Sequence, residues 1–94
     1  MATYLMFGSY TMESLRQISA QRTQEAEDVI KKHGGKLKGG YAMLGKDDIV
    51  LVVDLKDTER AMQASVALSK LLGIAFTTAP AVSIDEFDRL MKDT

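Results

Sequence analysis

The chain has no cysteine, no tryptophan and no asparagine, one proline and one histidine. Without cysteine there is no disulfide, no thiolate nucleophile and no zinc site with sulfur ligands. A lone histidine, His33, excludes a metal site built from imidazoles alone. Neither sign of charge dominates: Lys plus Arg number 12 and Asp plus Glu 13, a formal net charge of -1. That balance argues against a surface built for nucleic acid or for an anionic membrane, because phosphate binding needs clustered cations. No window approaches the ~18 uncharged apolar residues of a membrane span. The opening MATYLMFGSY has neither a basic start nor a small-residue cleavage site, so it reads as a strand rather than a signal peptide. A cytoplasmic location is the expectation. The glycine pairs Gly34-Gly35 and Gly39-Gly40 are not followed by Lys-Ser/Thr, which excludes a phosphate loop. There is no nucleophile elbow and no Ser-His-Asp set.

What is present suits one small domain spanning residues 1–94. With 94 residues, 46% of them apolar, the chain should bury roughly 64% of its extended surface. Thr3 to Tyr10 predicts a first strand, with Leu5 and Phe7 on one side and Tyr4, Met6 and Tyr10 on the other. Thr11 is a candidate N-cap for a long helix from Met12 to about His33. Its stripe at the 3.6-residue period runs through Leu15, Ile18, Arg22, Ala26, Val29 and Ile30. Gly34 is placed to end that helix in the left-handed conformation. Lys36 to Leu44 predicts a second strand, with a bulge or close backbone approach at Gly39-Gly40. After the Gly45-Lys46-Asp47 loop, Ile49 to Leu55 is apolar on both faces, the mark of a central strand. Asp57 or Thr58 caps a helix to Leu72, stopped by Gly73. Ile74 to Val82 predicts an edge strand because it contains Pro80. Ser83-Ile84-Asp85-Glu86 is a capping-box pattern that opens a short terminal helix.

The order βαββαβ with a terminal helix predicts an α+β, ferredoxin-like fold: a four-stranded antiparallel sheet with two helices on one face. Two helices cover one face only, yet the strands are apolar on both. The uncovered face would exceed the few hundred Å² of apolar surface usual for a monomer. The expected cover is a second copy, sheet against sheet, burying at least ~1,200–2,000 Å² in total. Tyr4, Met6, Val50 and Val52 are assigned to that interface, although alternation alone does not say which set of side chains meets the helices.

The same residues resemble the GYD domain family. The likeness runs from the opening strand Thr3-Tyr4-Leu5-Met6 and the Tyr10-Thr11 step, through Arg22, Ala26 and Gly34-Gly35-Lys36. It continues through the hairpin Gly45-Lys46-Asp47-Asp48 to the Phe87-containing tail. In the hairpin that gives the family its name, Gly45 and Asp48 match, while Lys46 stands for an acidic residue and Asp47 for the tyrosine. The resemblance implies a small bacterial protein with a dimeric α+β-barrel architecture, and no particular activity.

Arg22 is the most informative polar residue, because a guanidinium within an apolar stripe needs a partner. It would either recognise an anion at the mouth of a helix-sheet pocket, pair with Asp48 or Asp54, or extend along its stem to water. Arg22, Tyr41, Asp48 and Tyr4 are the candidate ligand-binding set. Asp47 and Asp48 are strand neighbours that point apart, so turn chemistry explains them better than a carboxylate pair. His33 suits the negative end of a helix. No catalytic residue, metal set or cofactor is assigned. The expected partners are a second copy and a small molecule. The function expected is a homo-oligomeric, non-catalytic ligand-binding or structural module. The alternative is a cofactor-free monooxygenase- or isomerase-like enzyme with a pocket between helix and sheet.

Overall fold

The computed structural model describes all 94 residues. Its elements are β1 (Ala2–Gly8), α1 (Met12–Arg16), α2 (Ala20–Lys32), β2 (Lys36–Ala42), β3 (Ile49–Leu55), α3 (Thr58–Leu72), β4 (Phe76–Ala81) and α4 (Ile84–Met91). The strands form one antiparallel sheet in the order β2-β3-β1-β4. The apolar β3 is therefore central and the Pro80-bearing β4 is an edge, where a residue without an N–H costs the ladder nothing. This is the ferredoxin-like α+β arrangement. No helix is long and apolar enough to cross a membrane.

Local chemistry sets the element ends. The Thr11 hydroxyl accepts the Ser14 N–H at 3.0 Å, and Asp57 accepts the Arg60 N–H at 2.8 Å. At the end of α2, Gly34 takes φ +79°. Its N–H donates to Lys31, and the Gly35 N–H donates to Ile30, each at 2.9 Å. This pair of hydrogen bonds closes the last turn and leads the chain into β2. Gly35 then lies so close to β3 that a Cβ there would sit 2.5 Å from Leu55 and 2.7 Å from the Asp54 carbonyl. The β2–β3 register shifts between Leu37 and Gly39, so the extra residue is Lys38, one position before the glycine pair where the bulge was expected, and Gly39 and Gly40 pair regularly with Val52 and Leu51.

Two expectations are corrected. The region from Met12 to His33 is not one helix. It breaks at Gln17-Ile18-Ser19, where the Ser19 hydroxyl accepts the Arg22 N–H at 3.1 Å and starts α2 afresh. Leu15 and Ile18, expected inside, are exposed. Second, Tyr4 and Met6 do not share a face with Val50 and Val52. Antiparallel pairing sets Tyr4 opposite Val53 and Met6 opposite Leu51, and directly paired residues point to the same side. Tyr4, Met6, Leu51, Val53 and Leu55 form the buried core with Ala26 and Ile30 of α2 and Ala61, Ala64 and Leu68 of α3. The small alanines let α3 approach the sheet.

The other face holds Leu5 and Phe7 opposite Val52 and Val50, with Tyr41 also opposite Val50. No helix packs substantially over it, although its side chains shield one another: Val50 is 9% exposed, and Leu5, Phe7 and Val52 are half-buried. The terminal helix α4 has no substantial packing against any other element. Ile84, Phe87, Leu90 and Met91 on it are all exposed. Consequently the radius of gyration is 14.1 Å, above the ~12.4 Å of a compact chain this long.

Candidate functional site

The break between α1 and α2 leaves a gap above the β2–β3 end of the sheet. A continuous helix would have carried side chains across it. The result is a pocket of about 70 Å³. Its walls are Ile18, Ala26, Leu37, Ile49, Leu51 and Leu72, and its polar groups are Tyr10, Ser14, Gln17, Ser19, Arg22 and Thr23. Gln17, Ile18, Ser19 and Thr23 are exposed and form its mouth.

Arg22 lines this pocket half-buried, in the first turn of α2. Its Nη1 donates to the Leu71 carbonyl at 2.6 Å, and its Nη2 to the Gln17 side-chain oxygen at 2.6 Å. Neither of the two ion pairs in the structure includes it. The sequence offered Asp48 and Asp54 as its partners, and both are committed elsewhere. Asp48 accepts the Tyr10 backbone N–H at 2.8 Å, and Asp54 accepts the Thr3 hydroxyl at 2.8 Å and faces Lys38 at 3.6 Å. Arg22 is thus a cation joined only to neutral acceptors. It ties the α1–α2 break to the last turn of α3.

Tyr10, expected as the last residue of the first strand, lies beyond the end of β1 and is the aromatic of this pocket. Burial, and then the neighbouring Asp48 carboxylate, push its phenol above the ordinary range. Both causes disfavour the phenolate, so the side chain stays a neutral hydroxyl. Its position one residue before the Thr11 cap, at the exit of β1, was the signal in the sequence that could have found it.

The structure does not bring the four candidate residues together. Only Arg22 lines the pocket. Tyr41 is 69% exposed on the opposite side of the sheet. Tyr4 lies under α3, beside Ala61 and Ser65. Asp48 sits behind Tyr10, where it holds the β2–β3 loop to the end of β1: its own N–H donates to the Gly8 carbonyl at 2.8 Å. His33 is remote from Arg22, with Nδ1 2.9 Å from the Val29 carbonyl of its own helix. No three His, Asp or Glu side chains converge as a metal site would require.

A search of curated protein sequences finds no match. Among solved structures, the fold is similar to that of the leucine response regulatory protein LrpA of Mycobacterium tuberculosis, with a TM-score of 0.58 at 6% identity. The likeness covers 87% of this chain and 51% of that one, so the chain spans about half the length of LrpA. At such identity the fold alone is shared. A family model for the GYD domain matches residues 4–91. That span takes in β1 from Tyr4 onward, the pocket, the Asp48 loop and α4, and the chain belongs to the GYD domain family.

Proposed function

We propose that this chain is a non-catalytic small-ligand-binding module that acts as a homo-oligomer joined through its open sheet faces. The observation that carries the binding reading is the pocket beside Arg22: apolar walls, a few convergent polar groups and an unneutralised cation. This is the composition of small-molecule sites in general. Its lining holds no carboxylate and no imidazole, so an acid-base pair for turnover would have to come from elsewhere. That supports binding over the enzyme alternative.

Self-association is supported by the uncovered face around Leu5, Phe7, Val50 and Val52, and by the unpacked apolar side of α4. Ligand pocket and open face lie on opposite sides of the sheet, so the two activities do not compete for surface. A cytoplasmic location belongs to the same proposal.

The test is a thermal-shift screen of small molecules on the wild-type protein with Arg22→Ala beside it. The expected result is a hit whose stabilisation disappears in the variant. Equal shifts in the two proteins would remove Arg22 as a ligand contact. Native mass spectrometry of the purified protein adds a direct search for a ligand carried through.

A further inference from the structure

The pocket's chemistry allows its ligand class to be named, an inference that rests on the binding reading above. We infer that the pocket takes a short-chain monocarboxylate, its carboxylate at Arg22 and its alkyl tail between Ala26, Ile49 and Leu51.

Charge is the first reason. A guanidinium has five N–H donors, and Arg22 uses one on Leu71 and one on Gln17. Both acceptors are neutral. The Leu71 carbonyl, at the C-terminal end of α3, carries only the partial negative charge of a helix end. Half-buried charges are ordinarily matched by opposite ones, and no carboxylate of the chain takes this place. A ligand carboxylate would supply the missing charge and meet the remaining donors in the planar fork geometry that suits it.

Other groups at the mouth point to an anion as well. Gln17 presents its oxygen to Arg22, so its NH₂ donors have no partner in the chain. Ser19, the N-cap of α2, also lines the mouth, which brings the positive end of a 13-residue helix to the rim. Asp48 is not part of the lining and lies behind Tyr10, and Glu25, one turn along α2, neither lines the pocket nor forms an ion pair with Arg22. The anion therefore belongs at the Arg22 end.

Size and polarity set the tail. About 70 Å³ is roughly half the ~150 Å³ of an apolar cavity that accepts benzene. With the carboxylate at the mouth, the interior suits a tail of about two to four carbons. Away from Arg22 the lining offers only neutral hydroxyls, those of Tyr10 and Ser14, and no second cation, so a dicarboxylate is disfavoured. An α-amino acid is disfavoured too, since its ammonium would lie beside the guanidinium.

The experiment is a heteronuclear NMR titration of the wild-type protein with butyrate, butyramide, succinate and 2-aminobutyrate at matched ionic strength, following the amides of Ala26, Ile49 and Leu51. Butyrate is expected to bind at least tenfold more tightly than the other three, and Arg22→Gln to remove that preference. Equal binding of butyrate and butyramide would overturn the carboxylate inference and leave the pocket reading standing. No response to any of the four would overturn both. If Arg22→Gln does not fold, the wild-type series decides alone, because the charged and neutral ligands differ by one group.

Discussion

The Asp48 carboxylate accepts the backbone N–H of Tyr10 at 2.8 Å across 38 residues of sequence. Asp48 works as a fastener: it fixes the β2–β3 loop against the β1–α1 connection that carries the pocket's tyrosine. Replacing Asp48 with Ala removes a charge-assisted acceptor from a partly buried N–H. A loss of about 1–3 kcal/mol is expected, read from urea unfolding. Asn, which keeps a neutral acceptor, should lose less. An Ala variant as stable as wild type would show that the loop is held by other contacts.

Tyr10 gives a pH dependence with a definite sign. Its folded-state pKa lies above the unfolded value, because burial and then Asp48 oppose the phenolate. The unfolded chain therefore loses this proton first. The associated stability is present below about pH 10 and declines as pH rises from there through the folded-state pKa. The difference between ultraviolet titrations of the wild type and Tyr10→Phe should place the Tyr10 phenol above about pH 10, and Tyr10→Phe should flatten the alkaline stability profile. A Tyr10 transition at or below that pH in the folded protein would defeat this reading.

Gly35 and Gly39 are two glycines of neighbouring sequence with opposite expectations. A Cβ at Gly35 meets backbone and a core leucine below 3.0 Å, whereas a Cβ at Gly39 meets nothing within 4 Å. Gly35→Ala should cost about 1–3 kcal/mol through forced displacement. Gly39→Ala should leave stability unchanged or raise it by up to about 1 kcal/mol. Chemical denaturation of the pair compares them directly, and equal effects would contradict the packing described at the α2–β2 junction.

The open sheet face gives a test of assembly. Val52→Lys places a charge among Leu5, Phe7 and Val50 without entering the core. In sedimentation velocity at micromolar concentration, the wild type should run as an oligomer and the variant as a folded monomer. Met62→Lys, on the exposed side of α3, should leave the oligomer intact. A monomeric wild type, or a Val52→Lys protein of unchanged mass, would remove the proposed interface.

Much of this architecture can be read from residue patterns because the cues are local. Pro80 marks an edge, Gly34 and Gly73 end helices in the left-handed region, and Asp57 and Thr11 cap their helices as expected. The break at Ser19 escapes such reading. Residues Met12 to His33 contain no glycine or proline, and the 3.6-residue pattern runs unbroken through Leu15 and Ile18. A single serine hydroxyl on the Arg22 N–H competes with continuation, and only tertiary packing decides between them. The face assignment fails for a related reason. In β1 both alternating sets are apolar, and whether even residues of β1 meet even or odd residues of β3 depends on a register that no local signal fixes. One cue was available in β3: Val50, Val52 and Asp54 alternate toward a charge, while Ile49, Leu51, Val53 and Leu55 do not. The pocket was legible only through Arg22, because Tyr10 and Gln17 gain their meaning from the broken helix.

The free-standing tail has a further consequence. Eight residues are too few for a helix to persist in water on its own strength, since nucleation is costly and little propagation follows to offset it. With no neighbour to lean on, residues 84–91 must trade their order against the coil continually while the sheet amides stay protected. The tail is thus a built-in reporter: deuterium uptake there measures how often something shelters it.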